Sequence, residues 1–326
     1  MGTPRTLRAG PLDSAAMRIL LASPRGFCAG VDRAIDIVEL ALAQEERPVY
    51  VRHEIVHNRH VVDGLREKGA TFIEDPEDAP EGAVLIYSAH GVSPEIRDRA
   101  ENQQLHTIDA TCPLVTKVHN EVRRMVDDDY EIVMIGHAGH VEVEGTMGQA
   151  PDSMHLVETA DDVERLEVRN PDRLGCVTQT TLSVDDTRDV MDALARKFPK
   201  IVLPKRDDIC YATQNRQDAV KELTEHADLV LVVGAPASSN SNRLVEVASR
   251  RGVPSYLIQS ADEVDDAWLE GIECVGITAG ASTPDVLVQG VIQHLRDHAP
   301  REAILDSLPE VDEGVQFKLP RELRQA

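Results

Sequence analysis

The chain alternates between short, nearly all-apolar runs and longer stretches whose apolar residues recur every three or four positions. The runs RILLAS from Arg18, VYVRHEIV from Val49, AVLIYS from Ala83 and HTIDA from His106 read as strands buried on both faces. So do EIVMIG from Glu131, LGCVTQ from Leu174, KIVLP from Lys200, DLVLVVG from Asp228 and ECVGIT from Glu273. A shorter strand is expected around Phe72. Helical patterns lie between them. Val31, Ile35, Val38 and Leu42 form one stripe and Val115, Val118 and Val122 another, and a further helix is expected from about Gln214. Helix starts are marked by Ser93-Pro94-Glu95, by Ser183 with Asp186, and by Thr283 as a cap with Pro284 at the first helical position.

This order of elements recurs three times, with a period of roughly 90 residues. Each segment carries a cysteine at the start of a helix: Cys28, Cys112 and Cys210. Each then opens into a first polar loop: His57-Asn58, then Gly136 to His140 followed by Glu142, then Ser238-Ser239-Asn240. A second polar loop follows in each: Ala89-His90-Gly91, Thr180-Thr181 and Ala279 to Ser282. From cysteine to first loop the spacing is 29, 28 and 30 residues, counted to His57, His140 and Asn240. To His90, Thr180 and Ser282 it is 62, 68 and 72.

Repeated strand–loop–helix units with apolar strands imply an α/β fold of three similar units, each with a mainly parallel sheet covered by helices. In such folds ligands bind beyond the carboxyl ends of the strands, where all six polar loops lie. A pseudo-threefold trefoil would bring three cysteines and six loops to one centre. An open array is the other arrangement that a repeat allows.

Composition narrows the function. Of 326 residues 42% are hydrophobic but only 3% aromatic, so the core is aliphatic. The formal net charge of −23 argues against nucleic-acid binding, which needs a positive field. No apolar run is long enough to span a membrane. Residues 1–17 lack a signal-peptide core and read as a disordered extension, which places the chain in the cytoplasm. Five cysteines without a C-x-x-C pair argue against disulfides and zinc ribbons.

Three thiolates, one per repeat, suit a 4Fe–4S cluster with one iron left open, whereas four would close it. At a helix start the dipole is expected to lower each thiol pKa. Ordinary buried cysteines and a Cys₃His zinc site are the alternatives. Cys176 and Cys274 lie inside apolar strands and read as core. The loops offer neutral donors, with Arg59 and Arg243 close behind, so an anion would be held mainly by hydrogen bonds. Glu142 is expected to have a raised pKa beside an anionic cluster and substrate, and to carry a proton, although a Glu there can also be a capping charge.

The segments GFCAGV from Gly26, HEIVHN, SAHG, DATCP, GHAGHVEVEG, TQTTLSVDDT, DICYATQNRQ, GAPASSNSNR and GITAGASTP resemble those of the 4-hydroxy-3-methylbut-2-enyl diphosphate reductase family, in order, over about Arg18 to His298. The tail sequence FKLP from Phe317 fits as well. The resemblance implies a trefoil around a 4Fe–4S cluster held by Cys28, Cys112 and Cys210. It implies that His57, His90, Ser238, Ser239, Asn240 and Ser282 hold a diphosphate, with His140, Thr180 and Glu142 near the substrate hydroxyl. It further implies units at 30–111, 112–207 and 18–29 plus 208–300, with 301–326 as a tail. The implied reaction is reductive dehydroxylation of (E)-4-hydroxy-3-methylbut-2-enyl diphosphate to isopentenyl and dimethylallyl diphosphate. This is the last step of non-mevalonate isoprene biosynthesis, fed by a ferredoxin or flavodoxin.

Two rivals stand beside it. A non-redox iron–sulfur hydro-lyase also needs three cysteines and an open iron. A non-enzymatic three-unit binding protein for a phosphorylated ligand would use the cysteines only as structure.

Overall fold

The protein is seen in a computed structural model that describes residues 16–204, 208–299 and 301–324. The chain begins with β1 (Met17–Leu21) and α1 (Ala29–Gln44). Next come β2 (Val49–Arg52), α2 (Arg59–Glu67), β3 (Thr71–Ile73), β4 (Val84–Tyr87), α3 (Pro94–Asn102) and β5 (His106–Asp109). A second group holds α4 (Pro113–Asp127), β6 (Glu131–Ile135), α5 (Val141–Met147), β7 (Met154–Val157), α6 (Ala160–Arg165), β8 (Leu174–Thr178) and α7 (Val184–Lys197). The third holds α8 (Tyr211–Leu223), β9 (Leu229–Val233), α9 (Ser239–Arg250), β10 (Ser255–Ile258), β11 (Cys274–Ala279), α10 (Asp285–His298) and β12 (Ala303–Ser307).

The strands form three separate sheets, ordered β3-β2-β4-β5, β7-β6-β8 and β10-β9-β11-β1-β12. Their pairings are parallel throughout. Every residue of β4, β6, β8, β9 and β11 is buried, as expected for parallel sheets covered on both faces.

The segment before each cysteine and the helix after it belong to different sheets. β5 pairs with β4, yet α4, after Cys112, packs Val118, Val122 and Met125 against Ile132 and Met134 of the next sheet. β1 pairs with β11, yet α1, after Cys28, packs Ala34, Ile37 and Val38 against Val51 and Ile86. The segment before Cys210 touches β8 through Val202 and Gly175, while α8 packs Val220 and Leu223 against Val230 and Val232. Each cysteine is thus the joint at which the chain leaves one sheet for the next. Each is pinned through its own amide: Cys112 N donates to Ala89 O, Cys210 N to Thr180 O and Cys28 N to Ala281 O. Every acceptor lies in a second polar loop.

The three units close on one another rather than forming an open row. Gln149 Nε2 donates to Val92 O at 2.9 Å, joining the second unit to the first. Ser239 Oγ donates to Thr181 O at 3.3 Å, joining the third to the second. Ser282 Oγ donates to His57 O at 3.0 Å, joining the third to the first.

Several expectations need correction. The extension does not reach residue 17: Met17 is fully buried in β1, while residues 1–15 lie outside the described residues. KIVLP is no strand, because Val202 makes a single bridge before Pro204 ends the pairing. VYVRHEIV stops at Arg52, since His53 adopts φ +59° and turns the chain out of the sheet. The helix expected from Gln214 begins at Tyr211. Pro284, not Thr283, precedes the first turn of α10, and Thr283 Oγ1 donates to Val233 O instead. Residues 303–307, assigned to the tail, form β12 against β1.

Candidate active site

Cys28, Cys112 and Cys210 are each the residue immediately before a helix: α1, α4 and α8. The repeat therefore delivers three thiols in one local setting. Gly30 shows how close two of them come. A Cβ there would sit 2.8 Å from Cys112 Sγ and 3.8 Å from Cys28 Sγ, so only glycine fits. Cys210 Sγ accepts from Thr213 N at 3.4 Å and lies 3.2 Å from Thr213 Oγ1.

The expectation of lowered thiol pKa values is overturned for the metal-free protein. Burial pushes Cys112 up to about 12, and the charges of Cys28 and Cys210 add to it. Burial, then the charge of Cys28, pushes Cys210 up to about 11. Cys28 is raised by burial as well, against backbone donors and Arg216. Desolvation outweighs the helix-start donors. Three thiols brought together in this way are stable as thiolates only when a cationic group shares them. Cys176 and Cys274 are buried in β8 and β11.

Next to the thiols the loops bring several imidazoles together. His57 and His90 stack at 4.2 Å, and His140 stands edge-on to them at 5.3 and 6.0 Å. His90 is held well below the usual histidine range by burial and then by the neighbouring imidazoles. His140 is pushed down to about 4, again chiefly by burial. His140 also precedes α5, and its Nδ1 accepts from Glu142 N at 3.1 Å. That bond places its proton on Nε2.

Glu142 is buried and both its oxygens are used: Thr180 N donates to Oε1 and Thr180 Oγ1 to Oε2. Burial pushes its pKa up to about 7 against these two donors. The rise was expected from anionic neighbours, but removal from water suffices. The charge of Glu142 also acts on Cys210.

The third unit supplies Ser238, Ser239, Asn240 and Ser282, all buried. Ser238 Oγ accepts from Ser241 N and Ser241 Oγ. Both side-chain atoms of Asn240 and Nε2 of His57 are buried without a partner. Buried polar atoms are nearly always paired, so orphans gathered at a loop cluster mark a place held for a ligand. Of the nearby cations, Arg59 pairs with Asp63, while Arg243 pairs with Glu246 through Nη2 and keeps a buried Nε without a partner.

Sequence reading missed His53, Glu54 and Ser88. His53 packs edge-on to His57 and His90, Glu54 accepts from His57 Nδ1 at 3.1 Å, and Ser88 Oγ bonds His90 Nδ1 at 3.2 Å. Their only signal was proximity to the loop histidines.

The LytB protein family model matches residues 19–296. A relative from Nitrosomonas europaea, named 4-hydroxy-3-methylbut-2-enyl diphosphate reductase, is 58% identical over 94% of this chain and 97% of its own length. One of the same name from Escherichia coli O9:H4 is also 58% identical, covering 94% and 98%. The solved E-1-hydroxy-2-methyl-but-2-enyl-4-diphosphate reductase of Plasmodium falciparum superposes with a TM-score of 0.89 at 41% identity, covering 94% and 97%. A family model over most of the chain and relatives of this similarity, matched along nearly their whole length, show that the chain belongs to the LytB protein family.

Proposed function

We propose that this chain is the reductase that removes the hydroxyl group of (E)-4-hydroxy-3-methylbut-2-enyl diphosphate, giving isopentenyl and dimethylallyl diphosphate at the end of the non-mevalonate pathway. The observation that carries this reading is the meeting of three joint cysteines with buried, unpartnered donors and one buried carboxyl. A non-redox hydro-lyase would share the cysteines, but the relatives are named as reductases, which favours the redox reading.

The donor set fits a 4Fe–4S cluster on Cys28, Cys112 and Cys210. The three sulfurs do not all lie within 4.8 Å of one another. A single zinc ion with bonds of about 2.3 Å needs them within about 4.6 Å, so a polynuclear group suits them better. When bound, the cluster supplies reducing electrons and a Lewis-acidic iron.

The protein's own groups do the rest. Asn240 turns a buried amide N–H toward the diphosphate, His57, whose Nδ1–H is given to Glu54, donates through Nε2 as the imidazolium, and Ser238, Ser239, Ser282 and the neutral His90 complete the cradle. His140 offers an Nε2–H to the substrate hydroxyl. Glu142, protonated about half the time near pH 7, delivers a proton to that hydroxyl so that it leaves as water. Two electrons and two protons convert the alcohol into alkene and water. The second proton goes to an allyl carbon. Burial of the site keeps bulk water from competing for that carbon. The electrons come from a partner protein such as a ferredoxin or flavodoxin, and the setting is the cytoplasm. Among the described residues no helix is long and apolar enough to cross a membrane.

The test is iron and sulfide analysis of anaerobically prepared protein, with turnover measured with and without a low-potential donor. Cys28→Ser, Cys112→Ser and Cys210→Ser are each expected to lose iron, whereas Cys176→Ser and Cys274→Ser keep it. Turnover without reductant would favour the hydro-lyase. Iron-free wild-type protein that still binds the diphosphate would favour the binding protein.

A further inference from the structure

Arg216 is the cation that the proposed chemistry does not use, and it is fully buried. It lies in α8, six residues after Cys210. Its Nε and Nη2 donate to Gly26 O at 3.0 and 2.7 Å, and Nη2 also donates to Phe27 O at 3.0 Å. Those are the two residues before Cys28. Gly26 sits at φ +69°, which glycine adopts freely, in the turn that leads to Cys28. Nη1 donates to Ala212 O at 2.9 Å and to Glu313 Oε1 at 3.1 Å. One guanidinium therefore ties the approach to Cys28 to the helix that starts at Cys210, two segments far apart in sequence that share the core around β9.

A buried guanidinium is tolerated only when paired. Its partner comes from the C-terminal segment. Asn215 Nδ2 donates to the same Glu313 oxygen at 2.9 Å, so α8 grips the carboxylate twice. The segment is itself fastened along its length. Leu308 N donates to Leu21 O, and Val311 N to Ser23 Oγ. Further on, Arg33 Nε donates to Lys318 O at 2.9 Å, while Arg33 Nη1 donates to Thr111 O, next to Cys112, at 3.0 Å. Leu319 and Leu323 pack into the first unit's core.

We infer that the Arg216–Glu313 pair is a positioning lock for the Cys28 and Cys210 thiols, and that residues 308–320 are the strap that closes it. The inference rests on the reading that these thiols hold a metal group. It gives the C-terminal segment a task that its sequence did not reveal. Neither residue touches the substrate cradle.

The experiment uses full-length Glu313→Gln and Glu313→Asp. Iron release from the loaded protein is followed against a chelator. Alkylation of each cysteine in the metal-free protein is followed by mass spectrometry. For E313Q, iron is expected to leave at least about fivefold faster. Labelling of Cys28 and Cys210 should rise similarly, while Cys176 and Cys274, buried in their strands, stay protected. E313D, which keeps the charge, should fall between. Unchanged release and labelling would overturn the lock. So would a uniform rise at all five cysteines, which signals general loosening. If E313Q does not fold, Asn215→Ala weakens the same grip and must show the same selective pattern. If wild-type protein never takes up iron, the metal reading fails, and the alkylation pattern still judges the lock.

Discussion

Thr180 holds both oxygens of the Glu142 carboxylate, with its amide 2.6 Å from Oε1 and its hydroxyl 3.0 Å from Oε2. The two residues come from different strand ends of one sheet, β6 and β8, paired in register as Ile135 with Thr178. The pairing fixes the carboxyl without any cation. Its protonation is therefore a balance between burial, which raises the pKa, and Thr180, which lowers it.

Thr180→Val removes the hydroxyl donor and keeps the amide. The carboxyl should then hold its proton to higher pH. Because the proposed reaction needs the protonated form, the alkaline limb of kcat is expected to move up by about half to one pH unit. A limb that stays in place in the pH–rate profile would remove Glu142 from the proton path.

Glu142→Gln should lower turnover by about 100-fold or more while iron content is unchanged. The same variant tests the linkage. The folded-state pKa is about 7 against 4.5 for the free group. Between those values the folded protein keeps a proton that the unfolded chain has lost. Stability from this site is therefore complete below pH 4.5 and is lost as pH rises through 7. Denaturant titrations of metal-free wild type minus E142Q should show a fall on the order of 3 kcal/mol across that window. A flat difference would sink the assignment.

His140 should stay neutral down to about pH 5, with its proton on Nε2, because burial and the His57 ring hold its pKa near 4. Nitrogen-15 NMR of the ring reads both tautomer and charge. A titration near pH 6.5 would show that water reaches the site in the resting protein.

Gly30→Ala places a methyl carbon 2.8 Å from Cys112 Sγ, and the sulfur must move. Loss of most bound iron is expected, with about 1–3 kcal/mol of destabilisation. Gly64→Ala, in α2 with nothing within 4 Å, is the control and should leave both unchanged or slightly improved. Equal iron in the two variants would argue against close packing at the thiols.

Much of the site was legible because each piece is local. A strand end, a loop of Gly, His or Ser, and a helix start are written in consecutive residues, and the spacing repeated three times. What failed was also local in cause but tertiary in effect. His53 broke a strand through a left-handed backbone, and Thr283 gave its hydroxyl to β9 rather than to α10. The thiol pKa direction failed because a helix start was visible in the sequence whereas depth of burial was not.

The sequence by itself determined which residue types stand at the strand ends and that three cysteines occupy equivalent positions, because period and capping chemistry are properties of short segments. Only the tertiary structure decided that each cysteine is a joint between two sheets, that the tail returns as β12 and places Glu313 on Arg216, and that His57 Nε2 and the Asn240 amide are left unpaired. Those outcomes depend on contacts between residues far apart in the chain, where burial and pairing are settled by what the folded chain places next to them.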